Sequence, residues 1–472
     1  MFSIIHPIEG NLSRREMLRV GALTSLGLGM GELGRLRSAT PDVNRKQNSC
    51  IFLFLFGGPS HIDLWDMKPD MPEQMRGEFK PSATCVPGIR ICEHLPRLAQ
   101  QMDKLCLLRS MTHRMNVHGP ACSEVFSGRP YFGPPVTDQA TRQDWPSLNS
   151  MVMRYGPTGN LPPSVVLPWY LQFPGQSKRI AGQTGGRMGE AHNALLLQGE
   201  FGKDDFEIQG LQARDEMTSA RLQDRRTLLN TLESPQRKQG SQNPLLALRA
   251  PEGAIHQHYD RAFALLEKNA GEVFNLRREP RRLRERYGFT PVGQSLLLSR
   301  RLVEAGVPLV TVNWEDETKI DGVNTCWDTH QDAFPKMKKL LCPLFDQSFL
   351  AFIEDLHVRG LLETTLVVAI GEFGRTPKIG EVTQSNNTKK TGRDHWPNAF
   401  TAILAGGGVR GGQVYGETTS TGGYVKDKPV SPADLSATIL HHLGIDHERE
   451  YWDEFQLMPQ RLSEGSVVKG LS

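Results

Sequence analysis

Apolar runs of strand length alternate with helical patterns along most of the chain. Continuous apolar runs predict buried strands at residues 50–56, 105–108, 164–167, 308–312, 365–370 and 401–404. Apolar positions at helical spacing predict helices at residues 95–102, 295–305, 333–359 and 433–443. Helices that alternate with buried strands favour a mainly parallel sheet covered on both faces. The pattern therefore predicts an α/β fold.

Composition and charge narrow the choice of protein class only slightly. The chain has 472 residues, of which 38% are hydrophobic and 23% charged, as in an ordinary globular protein. The net charge of +3 gives no reason to expect nucleic acid as a partner. The seven cysteines show no zinc-ligand spacing, so we expect no disulfide framework, although export would leave room for a bridge. No later segment reaches the roughly 18 apolar residues of a membrane span, so we expect no stable span.

The amino-terminal segment carries an export signal in our interpretation. Arg14 and Arg15 precede a weakly apolar, glycine-rich run at residues 20–30, which is typical of a twin-arginine (Tat) signal. We therefore expect residues 1–40 to be a signal read by the Tat export machinery and the protein to be periplasmic. The alternative is a short amphipathic helix. Residues 45–460 would then form a single α/β domain, with a polar helical excursion near 199–251.

Acidic residues and histidines follow the predicted strands, where they would meet at one edge of a parallel sheet. The set comprises Ser60, His61, Asp63, His118, Asp328, His330, Glu372, Asp394 and His395. Mixed carboxylate and imidazole ligands suit a divalent ion such as zinc, calcium or manganese. Such an ion would polarise a phosphoryl or sulfuryl oxygen, and Arg375 and Arg393 could clamp an anionic oxygen.

Structural roles explain several of the same residues. Ser60 could cap a short helix, and Asp328 or Thr329 could cap the helix that starts near residue 333. Asp394 could serve only to orient His395 by a hydrogen bond. Glu372 follows a buried strand and needs a partner there. Arg375 is one candidate for that partner.

Several long motifs resemble the domain-of-unknown-function 1501 family. They are the twin arginine, Gly57-Gly58-Pro59-Ser60-His61-Ile62-Asp63, Trp327-Asp328-Thr329-His330, Gly371-Glu372-Phe373-Gly374-Arg375-Thr376-Pro377, Gly392-Arg393-Asp394-His395-Trp396-Pro397 and Gly406-Gly407-Gly408. That exported bacterial family stands near the alkaline phosphatase and sulfatase superfamily. The resemblance implies a three-layer α/β/α sandwich with a mainly parallel central sheet. It also implies a metal-dependent hydrolase that acts on small-molecule or polysaccharide esters of sulfate or phosphate.

The sequence departs from the sulfatase pattern at three places. Gly57 and Gly58 stand where sulfatases have paired aspartates, Glu372 replaces the metal-binding aspartate, and His118 occupies the place of the nucleophilic cysteine. We therefore expect no formylglycine chemistry.

Two hypotheses follow from the motifs and these departures. The first is an exported metal-dependent hydrolase of sulfate or phosphate esters. Its candidate residues are Ser60, His61 and His118 for catalysis, Arg375 and Arg393 for anion binding, and Asp328, His330, Glu372, Asp394 and His395 for the metal. The second is a catalytically inactive relative that acts as an exported binding or assembly protein.

Overall fold

The apolar runs of the sequence become buried strands in the computed structural model. It describes residues 47–133, 140–157, 159, 161–172, 179–203, 208, 221, 224–225, 227–228, 272–315, 326–384, 388–453 and 455–472. The twin-arginine segment and most of the polar stretch near 199–251 lie outside the described residues. The proposals of an export signal and of a helical excursion therefore stay predictions.

The strands fall into one large sheet and several two-stranded ribbons. In chain order they are β1 (Ser49–Leu55), β2 (Pro81–Ala83), β3 (Arg90–Cys92), β4 (Leu105–Met111), β5 (Ser164–Leu167), β6 (Leu195–Leu196), β7 (Leu309–Trp314), β8 (Thr365–Ile370), β9 (Gly374–Arg375), β10 (His395–Trp396), β11 (Phe400–Ala405), β12 (Gln413–Tyr415), β13 (Glu417–Thr418), β14 (Val425–Asp427), β15 (Glu450–Asp453) and β16 (Met458–Arg461).

The central sheet is mainly parallel, as the sequence predicts. Its eight strands have the order β12-β4-β11-β8-β1-β7-β5-β6. Only β11 runs antiparallel to its neighbours β4 and β8. The other neighbouring pairs are parallel. We call the edge at which the parallel strands end the carboxyl edge.

Helices cover both faces of this sheet. They are α1 (His61–Leu64), α2 (Glu73–Arg76), α3 (Pro96–Ala99), α4 (His118–Ser127), α5 (Leu148–Tyr155), α6 (Arg281–Tyr287), α7 (Pro291–Glu304), α8 (Ala333–Lys336), α9 (Cys342–Val358) and α10 (Pro432–His442). Short 3-10 turns lie at Met102–Lys104, Gly186–Met188, Glu190–His192 and Leu276–Arg278, and a π-helical turn at Met337–Leu341 joins α8 to α9.

Strand β1 shows how the sheet separates two cores. Ile51 and Leu53 pack into a core with residues of α7 and α9. Phe52 and Phe54 pack into a second core with residues of α4, α5 and α10. Successive side chains of a strand point to opposite faces, and here both faces are buried. The predicted three-layer α/β/α sandwich is therefore confirmed.

The predicted elements agree with the structure best where the apolar runs are longest. Strands Ser164–Leu167 and Thr365–Ile370 have the predicted bounds. The helix predicted at 333–359 forms as α8, the π-helical turn and α9, and ends at Gly360, which has φ of 65°. The prediction of a helix over 95–102 is wrong in extent. Only Pro96–Ala99 is α-helical, because the chain then turns through 3-10 geometry to enter β4.

All seven cysteines are free, and every one except Cys85 is buried. Among the described residues, no helix combines the length and the apolar character needed to cross a membrane.

Candidate metal centre

Segments that leave different strands meet at the carboxyl edge of the sheet. β4 leads to α4, whose first residue is His118. Asp328 and His330 lie between β7 and α8. β11 runs in the opposite direction, so that His395, which precedes it, lies at the same edge. Four chemically active side chains from distant parts of the sequence therefore come together.

Three imidazole rings surround one carboxylate in this cluster. The Nε2 atom of His118 lies 3.2 Å from Oδ2 of Asp328. The Nε2 atoms of His330 and His395 lie 3.0 and 3.2 Å from Oδ1 of the same carboxylate. One ligand atom from each of the four residues lies within 4.8 Å of the others. We call these four residues the metal cluster.

The second nitrogen of each ring is held by another group. Nδ1 of His118 lies 2.6 Å from Oε1 of Glu372. Nδ1 of His330 lies 2.9 Å from the hydroxyl of Thr388, and Nδ1 of His395 lies 2.7 Å from the carbonyl oxygen of Asn116. A carbonyl only accepts hydrogen bonds, so Nδ1 of His395 carries a proton. Such outer contacts orient imidazoles as metal ligands.

Charges within the metal cluster shift the pKa values of its members. Burial would lower the pKa of His118, but the carboxylates of Asp328 and Glu372 outweigh burial and raise it to about 9. Burial would raise the pKa of Asp328, yet the charges of His118 and Arg375 hold it well below its usual range. Burial and repulsion from His118 lower the pKa of His395 to about 3. The residues by themselves thus place an ionised Asp328 beside a protonated His118 and a neutral His395.

The donor set and its dimensions fit a divalent ion. Zinc binds imidazole nitrogen and carboxylate oxygen at about 2.0–2.2 Å, usually in tetrahedral geometry, so that its ligand atoms lie up to about 4 Å apart. The ligand atoms here lie within 4.8 Å of one another, a space slightly wider than such a shell. A neutral Nε2 lone pair repels a carboxylate oxygen, whereas a divalent cation between them attracts both.

Two glycines allow the loops of the site to pack closely. A Cβ atom on Gly58, which has φ of 74°, would lie 2.6 Å from Cδ2 of Phe373. A Cβ atom on Gly392 would lie 2.2 Å from the backbone of His330. Any other residue at these positions would push the loops apart. The glycines in the motifs therefore serve the close approach of the chain segments that carry the metal cluster.

Two predicted metal ligands lie behind the metal cluster instead of in it. Both carboxylate oxygens of Glu372 accept from the N–H of Gly57, at 3.0 and 3.1 Å, and Oε1 contacts His118. Asp394 accepts the backbone N–H groups of Thr383 and of the following residue 384, at 2.7 and 2.9 Å. Its Oδ1 is 3.6 Å from Nδ1 of the ring at residue 330. Both carboxylates therefore support imidazoles from outside.

Two predicted catalytic residues have partners within the fold. Ser60 caps α1, and its hydroxyl donates to Oδ2 of Asp63 at 2.6 Å. Nε2 of His61 lies 2.8 Å from the carbonyl oxygen of Gly422. The third, His118, is a member of the metal cluster. Of the three candidates for catalysis, His118 therefore lies in the metal cluster, whereas Ser60 and His61 contact other groups.

The two arginines predicted to bind an anion are buried and engaged with the protein. Arg375 donates to Oδ1 of Asp328 at 2.6 Å and to the carbonyl oxygens of Gly57 and Gly58. Arg393 makes a bidentate ion pair with Asp63, at 2.8 and 2.9 Å. Both side chains differ from an exposed clamp, because the chain brings aspartates against them. Arg375 therefore pairs with Asp328, whereas Glu372 contacts His118.

Sequence reasoning missed three contributors to the site. Asn116 acts through its backbone carbonyl, and Thr388 lies in a polar loop, so neither has a recognisable sequence signal. Phe373 stacks on the ring of His395, with centroids 4.3 Å apart. The sequence signal for Phe373 is an aromatic residue inside a glycine-flanked motif.

Replacement of Glu372 by glutamine should weaken metal binding about 10–100-fold. The amide keeps the size of the side chain but presents an NH2 group where the carboxylate accepts from Gly57 and His118. Isothermal titration with zinc would measure the loss. Glu124→Gln is a matched control, since Glu124 is buried in α4 outside the metal cluster. Unchanged affinity in Glu372→Gln would show that Glu372 does not orient His118.

The fold and the site define a class: a three-layer α/β/α protein with a buried histidine and aspartate cluster that could hold a metal ion. The chain belongs to the family described as protein of unknown function (DUF1501), whose family model matches residues 47–471. The resemblance seen in the motifs is thereby confirmed. A comparison with curated proteins finds no match.

Solved structures with a similar course of the chain include a sulfatase, a phosphonate monoester hydrolase and a periplasmic domain in complex with Zn. A sulfatase from Pseudoalteromonas sp. is 13% identical, with 97% of this chain and 78% of that chain covered and a TM-score of 0.38. A phosphonate monoester hydrolase from Silicibacter pomeroyi is 11% identical, with 90% of this chain and 76% of that chain covered and a TM-score of 0.38. The C-terminal periplasmic domain of EcEptC from Escherichia coli, in complex with Zn, is 9% identical. The comparison covers 85% of this chain and 84% of that chain, with a TM-score of 0.32. These TM-scores are low, so the strand arrangement of the chain itself, rather than this likeness, defines its fold class.

Proposed function

We propose that this protein binds a divalent metal ion, zinc in the first place, and uses it to hydrolyse phosphate or sulfate esters. One observation carries the proposal. Three imidazole nitrogens converge on a single carboxylate, and the far nitrogen of every ring is already held by another group. This is how proteins prepare histidines to bind a metal. The ligands would be His118, Asp328, His330 and His395.

The position of the metal cluster and its partial exposure to solvent support a reactive centre. Ligands of open α/β sheets bind beyond the carboxyl ends of the strands, which is where the metal cluster lies. Side chains of His118 and Asp328 retain 11% and 8% exposure, whereas those of His330 and His395 retain 3% and 2%. A substrate would therefore approach from the side of His118 and Asp328.

In this proposal, residues of the chain itself bind the metal ion, orient its ligands and shield them from water. A bound divalent ion supplies a Lewis acid that polarises an ester oxygen and lowers the pKa of water. Glu372 holds the ring of His118 in place, and Phe373 covers the ring of His395 and excludes water from that side. Arg375 donates to Asp328 and fixes the orientation of its carboxylate. In this proposal His118 is a ligand rather than a nucleophile.

The number of protein ligands in the metal cluster favours a second candidate function. Three histidines and one aspartate already complete a tetrahedral shell, and zinc sites closed in this way are usually structural. Moreover, Arg375 and Arg393 are bound within the fold. The second candidate is therefore a metal-stabilised binding or assembly protein without turnover.

Metal analysis combined with an esterase assay tests the proposed function. We expect the purified protein to carry a stoichiometric divalent ion and to hydrolyse 4-nitrophenyl phosphate or 4-nitrophenyl sulfate. Chelation should remove both the ion and the activity, and added zinc should restore them. Bound metal without hydrolysis would favour the metal-stabilised binding protein. A folded protein that binds no divalent ion would overturn both candidates.

A further inference from the structure

Two adjoining cavities lie outside the metal cluster. One has a volume of about 410 Å³ and is lined by residues that include Thr141, Arg179 and Asn193. The other has a volume of about 380 Å³ and is lined by residues that include Arg187 and Phe455. Both are also lined by Arg142, Gly186 and Glu190. Because they share these residues, the cavities form one continuous groove, which we call the arginine groove.

Three arginines and one glutamate are the charged residues that line the arginine groove. Arg142 and Glu190 form an ion pair at 3.1 Å, but their side chains are 86% and 66% exposed. An exposed pair of this kind is weak, so Arg142 can exchange its partner for a ligand. Arg179 lies over the ring of Tyr170, 4.4 Å from its centroid. Within the described part of the chain, Arg179 makes no ion pair with a carboxylate.

The second cavity has a rigid cationic wall. Arg187 lies over the ring of Trp145, 4.0 Å from its centroid, and donates to the carbonyl oxygen of Gln143 at 2.7 Å. It also contacts Oδ2 of the buried Asp453 at 3.3 Å. These contacts fix the guanidinium before any ligand arrives, so a bound anion would cost little side-chain entropy there.

Neutral polar groups and one aromatic ring complete the arginine groove. Oδ1 of Asn193 accepts from the N–H of Gly185 at 2.7 Å, which leaves the amide Nδ2 group as a hydrogen-bond donor. Thr141 and Thr184 add hydroxyl groups. Phe455 is 53% exposed at the far end. A lipid chain would find too little apolar wall here, whereas a hydroxylated ring finds both donors and a flat apolar face.

We propose that the arginine groove binds an anionic saccharide chain whose sugar rings carry sulfate, phosphate or carboxylate groups. Guanidinium groups recognise such oxyanions by paired hydrogen bonds, and the amide and hydroxyl groups match sugar hydroxyls. Single-stranded nucleic acid is the poorer fit, because it binds to successive aromatic platforms. Among the described residues that line the groove, Phe455 is the single aromatic one.

Gly182, two positions before Thr184 of the arginine groove, packs on the helix that carries a member of the metal cluster. Gly182 lies against α4, where an added Cβ atom would be 2.5 Å from Cα of Ser123. The first residue of α4 is His118. A saccharide in the groove would therefore be held beside the helix that leads to the metal cluster. Its presentation as a substrate rests on the proposed function, whereas its binding does not.

Affinity electrophoresis and isothermal titration would test the arginine groove with dextran sulfate, polygalacturonate, uncharged dextran and a single-stranded DNA oligonucleotide. We expect the two anionic saccharides to bind and uncharged dextran not to bind. The double variant Arg142→Gln/Arg179→Gln should lose about tenfold or more in affinity, because two charge-assisted contacts are removed. Phe455→Ala should weaken binding even at high salt.

Matched controls separate this proposal from charge effects and from the metal centre. Arg281→Gln/Arg286→Gln removes two exposed arginines of α6 and should leave affinity unchanged. His395→Ala should also bind the saccharides normally, whatever happens to esterase activity. Equal affinity of the double groove variant and the wild type would overturn the proposal. Absence of saccharide binding, or preferred binding of the oligonucleotide, would overturn it as well.

Discussion

His395→Ala should reduce zinc affinity by more than about 100-fold, since even the loss of an outer contact to a ligand costs about 10–100-fold. Nε2 of His395 lies 3.2 Å from Asp328, and its Nδ1 is held by the carbonyl oxygen of Asn116. The ring is thus fixed for a ligand role that alanine cannot replace. Isothermal titration of the chelator-treated protein would measure the change.

Zinc should also stabilise the wild type far more than this variant. A ligand at about 100 times its Kd stabilises the native state by about 2.7 kcal/mol, and the variant should lack this increment at the same zinc concentration. His442→Ala is a suitable control, because Nε2 of His442 contacts the carbonyl oxygen of Ser49 at the opposite edge of the sheet. If His395→Ala bound zinc as tightly as His442→Ala, the metal cluster would be incorrectly assigned.

Asp63→Asn should destabilise the protein by about 3–5 kcal/mol, the usual cost of breaking a buried ion pair from one side. Asp63 and Arg393 are 0% and 1% exposed, and they form two hydrogen bonds at 2.8 and 2.9 Å. The amide would leave the charge of Arg393 buried without a counter-charge. Urea denaturation followed by circular dichroism should show a lower midpoint.

The same substitution should disturb the metal cluster indirectly. Arg393 precedes Asp394 and His395, and its backbone N–H donates to the carbonyl oxygen of Thr329 at 3.2 Å. Glu417→Gln is the control, since the pair of Glu417 and Lys426 is 59% exposed on both sides. Exposed pairs contribute about 0–1 kcal/mol. Similar midpoints for Asp63→Asn and Glu417→Gln would contradict the structural role of the buried pair.

Prediction from sequence succeeded where a local pattern has one physical solution. A continuous apolar run such as Thr365–Ile370 must be buried on both faces, which a covered parallel sheet provides. The residues that follow such strands then lie at one edge. His118 and Asp328 follow β4 and β7, and they do meet there.

The contacts of individual side chains were not predictable, because the direction that a side chain takes after a strand depends on neighbours far along the chain. Glu372 follows β8, as a metal ligand would, but it accepts from Gly57 and turns behind His118. Arg393 is a predicted anion ligand, and the structure pairs it with Asp63, 330 positions away. No local signal in the sequence connects these two residues.

The sequence by itself determined the α/β class, the burial of the strands and the edge at which polar residues gather, because apolar periodicity acts over a few residues. The tertiary structure decided which residues form the metal cluster. His395 precedes β11, and it reaches the carboxyl edge only because β11 runs antiparallel to β8. Strand direction and the pairing of buried charges are settled by contacts between distant segments, which a single sequence does not encode in any local pattern.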